Sequence, residues 1–94
     1  MGYFATWLLL EIMVASLHTN KYEIFRKLLV EARKSNGFTQ VELAQKLNCP
    51  QSFISKYENG ERRLDLTELV DITKAMNISS SDFLLDYLNK TSHL

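Results

Sequence analysis

The sequence predicts an all-α domain of five helices, and three observations carry that prediction. Proline (1) and glycine (3) are scarce in 94 residues, which leaves too few turns for a many-stranded sheet. From residue 21 onward the apolar residues return at helical spacing. Capping signals stand at the ends of these runs. The length suits one domain, and an apolar content of 46% supports a modest core. The expected organisation is an apolar N-terminal extension over 1–20, a folded domain over 21–90 and a short tail over 91–94.

The extension "MGYFATWLLLEIMVASLHTN" differs in composition from everything after it. Its apolar run of about 15 residues is shorter than the roughly 20 that a membrane-spanning helix needs. No Lys or Arg precedes the run, so the basic start of a signal peptide is missing. Leu8, Leu9, Leu10, Ile12, Met13 and Val14 would go all round a helix rather than down one stripe. Three readings stand: a helix buried against a partner subunit, a membrane-associated segment, or an upstream extension of a chain whose natural start is Met13.

The first helix of the domain is expected from about Lys21 to Lys34. Phe25, Leu28, Leu29 and Ala32 give it an i, i+3, i+4, i+7 stripe, and Gly37 is available for its left-handed cap. The second begins at Thr39, which forms a capping box with Glu42, and faces inward through Leu43, Ala44 and Leu47. Asn48-Cys49-Pro50 breaks the chain. Pro50 cannot continue a helix, yet it can open one where its missing N–H costs nothing. The third helix runs from Gln51 to Asn59 and stops at Gly60. Ile54, Tyr57 and Glu58 fall on one side of it, and Ser52, Ser55, Lys56 and Asn59 on the other, with Phe53 on the flank. The fourth follows an Asp65/Glu68 cap with Leu66, Leu69, Ile72 and Met76 as its stripe. The fifth opens at Ser79–Ser81 with Phe83, Leu84, Tyr87 and Leu88 facing inward, and "NKTSHL" reads as a frayed end.

Net charge is zero but segregated. Residues 21–64 carry nine Lys/Arg against five Asp/Glu, and residues 65–94 carry two against five. A basic centre attracts a polyanion locally, and an acidic last third keeps the far side away from it. The single cysteine, Cys49, excludes an intrachain disulfide and fits a reducing cytoplasm. His18 and His93 have no second ligand at metal spacing, so no metal site is argued. There is no nucleophile–base–orienter set and no Gly-rich phosphate loop. Neither an enzyme nor a cofactor is expected.

The polar face of the third helix remains to be explained. Two short helices joined by a three- to four-residue turn, the second polar on its outer side, make a helix-turn-helix. In that motif the second helix enters the DNA major groove and must present hydrogen-bonding groups to bases and phosphates.

The strings "GFTQVELAQKL", "QSFISKYENGERRLDL" and "ELVDITKAMNISSSDFL" carry a resemblance to a known family. Over residues 24–88, about two thirds of the chain, the sequence resembles the phage-repressor/Cro-like (XRE) helix-turn-helix domain. The resemblance implies a five-helix lambda-repressor-like fold and a double-stranded-DNA-binding transcriptional regulator of the repressor type, acting as a homodimer. It places Gln51, Ser52, Ser55 and Lys56 at base-reading positions, where the Gln51 amide can bond adenine N6 and N7. It places Gln40, Asn59, Arg62 and Arg63 at phosphate contacts. Arg33 and Glu58 match a partly buried salt bridge with a structural role.

Two features depart from the family pattern. Asn48-Cys49-Pro50 replaces a turn that usually holds glycine and a small aliphatic residue, although Asn48 tolerates the left-handed conformation. Phe53 is bulky for its position. Large aromatics seek apolar cover, so it is expected to fold back on the neighbouring helix rather than meet a thymine methyl. The dimer surface is expected on the fifth helix, through Phe83, Tyr87 and Leu88, with residues 3–17 as a further candidate. The alternative function is an antitoxin-type module that neutralises a toxin partner.

Overall fold

The computed structural model describes residues 20–94, and the expectations for residues 1–19 lie outside that range. Its described residues are helical over 20–35 (α1), Gln40–Leu47 (α2), Gln51–Asn59 (α3), Leu66–Ala75 (α4) and Ser80–Thr91 (α5), with no strand among them. The all-α expectation of five helices therefore holds. Among the described residues no helix is long and apolar enough to cross a membrane.

Local chemistry sets the helix ends. Thr39 and Asp65 each accept from the backbone N–H three residues on, and Glu42 and Glu68 each accept from the cap's own N–H. Two orphan donors per helix start are thereby satisfied. Ser79 accepts from the Asp82 N–H at the start of α5. Pro50 precedes α3 as its N-cap, with ψ of 148°, rather than forming its first residue. Asn48 takes the left-handed conformation at φ 55° and closes α2 by donating to Ala44 and Gln45. This is how the turn dispenses with glycine.

Gly60 is different. Its φ is +84°, and a Cβ there would come within 3.1 Å of Arg26 Nε. It both ends α3 and lets Arg26 pass over the chain.

The core is one cluster: Leu28 and Leu29 from α1, Leu43 and Ala44 from α2, Ile54 and Tyr57 from α3, Leu69, Ile72 and Met76 across α4, and Phe83 from α5. Phe25 extends it by packing edge-on against Phe83 and tilted against Tyr87. Thr73 and Ser80 join α4 to α5 through a 2.6 Å hydroxyl–hydroxyl bond.

Three expectations need correction. Leu66 is 66% exposed, because it is the first residue of α4 and stands beyond the turn that reaches the core. On α5 Ser80, Phe83, Tyr87 and Thr91 lie along the packed line, while Leu84, Leu85 and Leu88 are exposed. Phe25 of α1 meets Phe83 and Tyr87, and Thr73 of α4 meets Ser80, so the buried stripe is narrow. Phe83 and Tyr87 are consequently core residues, and the exposed apolar face of α5 belongs to the three leucines. The end of α5 is also better ordered than its sequence suggests. The helix continues to Thr91, whose buried hydroxyl donates to the Tyr87 carbonyl at 2.8 Å.

One prediction concerns a buried hydroxyl of this core and a second the cap of α4. The Tyr57 hydroxyl is buried with no hydrogen-bond partner, and burial pushes its pKa far above the ordinary value. An unsatisfied hydroxyl costs stability that its removal recovers. Tyr57→Phe should leave stability unchanged or raise it by up to about 1 kcal/mol in urea denaturation.

Hydrogen bonds hold Asp65 and Glu68 below their ordinary values of 3.8 and 4.5: for Asp65 chiefly the Glu68 backbone N–H, for Glu68 chiefly the Arg62 guanidinium. A depressed carboxylate contributes stability above its unfolded-state pKa and loses it as pH falls through the folded one. The midpoint of unfolding should drop as pH is lowered below about 4.5, and the double variant Asp65→Asn/Glu68→Gln should flatten that part of the profile.

Candidate nucleic-acid interface

Helix α3 owes its position to an ion pair beneath it. Arg33 reaches from α1 to Glu58, with Nε to Oε2 at 2.7 Å and Nη2 to Oε1 at 3.1 Å, and both residues are 8% exposed. Arg33 Nη1 also donates to the Phe38 carbonyl at 2.9 Å, which ties down the α1–α2 turn. Arg26 Nη1 donates to the Glu58 backbone carbonyl at 2.7 Å. Two arginines seven residues apart on one face of α1 therefore clasp the last turn of α3. The fixed planar fork of guanidinium suits this better than a lysine would.

The ion pair connects outward through amides. Gln40 Nε2 donates to Glu58 Oε1 at 2.8 Å, and Gln51 Nε2 donates to Gln40 Oε1 at 3.4 Å. Chemistry sets the polarity of this relay. An ionised carboxylate can only accept, so Gln40 must offer its NH₂ to Glu58 and keep its carbonyl for Gln51. Gln51 then turns an N–H toward Gln40. Its own carbonyl and second N–H are left for solvent or a ligand.

On the outer face of α3, Gln51, Ser52, Lys56 and Asn59 are exposed, while Ile54 and Tyr57 are fully buried. Ser55 is half-buried, and its hydroxyl donates to the Ser52 carbonyl at 3.2 Å, so it is less free than its neighbours. No side chain caps the α3 N-terminus. Its first backbone N–H groups are open to an anion. Phe53 packs edge-on against Tyr57 at 5.6 Å, so it folds back instead of facing outward.

The two loop arginines are both engaged. Arg62 makes a bidentate pair with Glu68, at 3.1 and 2.7 Å, and its guanidinium lies 4.8 Å from the Phe53 ring centre. The Glu68 hydrogen bond raises the Arg62 pKa. Arg63 stacks on Tyr22, 4.4 Å from the ring centre, and the Tyr22 hydroxyl accepts from the Leu64 N–H at 3.2 Å. Among the described residues no acceptor engages the Arg63 guanidinium, which can meet an anion, whereas Arg62 would have to share or leave Glu68.

Sequence reading missed Arg26 and Tyr22. The seven-residue spacing of Arg26 and Arg33 could have signalled a shared face. Tyr22 lies 42 residues from Leu64, and nothing in the sequence joins them. The Cys49 thiol is half-buried, and burial raises its pKa, so it is not poised to react.

The chain resembles known proteins over this part. A family profile described as "Helix-turn-helix" matches residues 29–83. The HTH-type transcriptional regulator ImmR of Bacillus subtilis (strain 168) is 38% identical, over 69% of this chain and 59% of the relative. Antitoxin HipB of Escherichia coli (strain K12) is 38% identical, over 50% of this chain and 53% of the relative. The chain thus spans roughly half to three fifths of these curated relatives.

Among solved structures, an XRE-family like protein from Pseudomonas syringae pv. tomato str. DC3000 is 39% identical with a TM-score of 0.80, covering 84% of this chain and 96% of that one. The restriction-modification controller protein C.Esp1396I, solved as a tetramer with its natural 35 base-pair operator, is 25% identical with a TM-score of 0.69, covering 76% and 93%.

Removing one partner of the buried ion pair leaves the other charge unpaired. Glu58→Ala should cost about 3–5 kcal/mol of unfolding free energy in guanidinium titration. Replacing both residues, as in Arg33→Met/Glu58→Leu, should cost much less.

Proposed function

Because the chain belongs to the helix-turn-helix family of the XRE type, we propose that it is a sequence-specific double-stranded-DNA-binding transcriptional regulator of the repressor type, working as a homodimer. The observation that carries this reading is the outer face of α3. Its polar side chains point away from a core that anchors the helix through Ile54, Tyr57 and the Arg33–Glu58 pair. A helix held so firmly and left so polar suits the major groove. The likeness to ImmR and to the operator-bound controller protein supports DNA as the ligand. The family is one of regulators, not of enzymes.

The proposed roles follow from chemistry. Gln51, oriented by Gln40, offers one acceptor and one donor toward the groove, the complement of adenine, whose N6 amino group donates and whose N7 accepts. Ser52 and Ser55 are adaptable secondary readers, Ser55 the weaker because its hydroxyl is spent on Ser52. Lys56 reaches a guanine or a phosphate. Gln40 with the α2 N-terminus, Asn59, Arg63 and, on release from Glu68, Arg62 contact the phosphate backbone.

One such unit contacts few base pairs. Two copies reading half-sites about 34 Å apart supply the specificity that one lacks. The exposed Leu84, Leu85 and Leu88 of α5 are the proposed contact between copies. The site of action is the cytoplasm. A second reading, an antitoxin that neutralises a toxin partner, is favoured by the likeness to HipB, and a co-transcribed small toxin frame would argue for it.

The test is selection of bound duplexes from a random pool at two salt concentrations, with Gln51→Ala in parallel. The expected result is a two-fold symmetric motif that Gln51→Ala blurs at one position per half-site, with a loss of about 1–3 kcal/mol on the parent motif. A promoter carrying that motif should be silenced in a reporter assay. Binding that collapses with salt and enriches nothing would leave only phosphate attraction and overturn the proposal.

A further inference from the structure

One groove lies away from α2 and α3. It is bounded by Leu28, Glu31, Ala32 and Ser35 of α1, by Asn77, Ile78 and Ser79 of the α4–α5 connection, and by Asp82, Phe83 and Asp86 of α5, with no residue of α2 or α3. Its volume is about 530 Å³, against about 230 Å³ for the groove beside Tyr22 and Arg63. The floor is apolar. Leu28 and Phe83 keep 6% of their surface exposed, and Ala32 and Ile78 are half-buried beside them. The rim is acidic: Glu31, Asp82 and Asp86 are all exposed, and no Lys or Arg lines the groove. Lys90, outside the lining, pairs with Asp86 at 2.7 Å in the open and also feels the Glu31 carboxylate.

We propose that this groove docks a cationic, amphipathic helical segment of a protein partner. The floor accepts an apolar side chain between Leu28, Ala32, Ile78 and Phe83, as in helix-in-groove recognition. Asp82 and Asp86 are one helical turn apart, with Glu31 facing them from α1. That spacing suits Lys or Arg side chains one turn apart on the segment.

Nucleic acid is repelled here, and the charge steers a basic peptide instead. The site is small, so the contact is weak and exchangeable. The groove shares no residue with α2 or α3, so docking leaves the outer face of α3 uncovered. The inference therefore does not depend on the DNA-regulator reading.

The experiment is an NMR titration of the full chain with a synthetic helical peptide of leucines on one face and lysines on the other. A counterpart with glutamate for lysine serves as control. The expected result is amide shifts centred on Leu28, Ala32, Ser35, Ile78, Asp82, Phe83 and Asp86 with the lysine peptide only. Affinity should fall at least fivefold in Asp82→Asn/Asp86→Asn, and also in Glu31→Gln, which leaves the start of α5 untouched. Shifts centred on Leu84, Leu85 and Leu88, no shifts at all, equal response to both peptides, or unchanged affinity in folded variants would each overturn the proposal.

Discussion

The Arg33–Glu58 ion pair is the constraint on which the rest of the site depends. It joins the first helix of the domain to the third across the core and is almost out of water. Such a pair contributes little net stability, because desolvation offsets most of the attraction. What it supplies is position. Glu58 belongs to the helix that carries Gln51, and any slide or rotation of α3 would break two charge-assisted bonds at once. Arg26 reinforces the same turn through the Glu58 carbonyl, and Gly60, with no side chain, leaves its guanidinium close passage.

The pair also sets the chemistry of the surface. Because Glu58 only accepts, it forces an orientation on Gln40, and Gln40 forces one on Gln51. A side-chain amide is otherwise free to turn over. Here a buried carboxylate decides, two residues away, which group an exposed amide presents outward. Arg62 shows the converse. Its two bonds to Glu68 and its stack on Phe53 occupy a charge that composition alone counts as available.

The segregation of charge acquires a geometry in the same way. Lys56 stands on the outer face of α3 and Arg62 and Arg63 in the loop after it, while Asp82 and Asp86 of α5, with Glu31 of α1, border an apolar groove that takes no residue from α2 or α3.

Much of this was legible in the sequence. Periodicity gave the helices, because a 3.6-residue repeat is a local property. The Thr39/Glu42 and Asp65/Glu68 boxes marked their starts, since each closes within four residues. Periodicity also separated Ile54 and Tyr57 from the outward Ser52, Lys56 and Asn59. It failed where packing is one-sided. Leu66, Leu84 and Leu88 fit an apolar stripe yet stay exposed, since burial depends on where other helices lie. It failed for Tyr22, which meets Leu64 across 42 residues, and for Arg62, whose partner is fixed by a loop. The sequence by itself determined the helices, their ends and the outward face of the third, because short-range sterics and hydrogen bonds decide these. Only the tertiary structure decided which exposed groups are free, which leucines stay in water and how Gln51 is turned, because these follow from contacts between residues far apart in the chain.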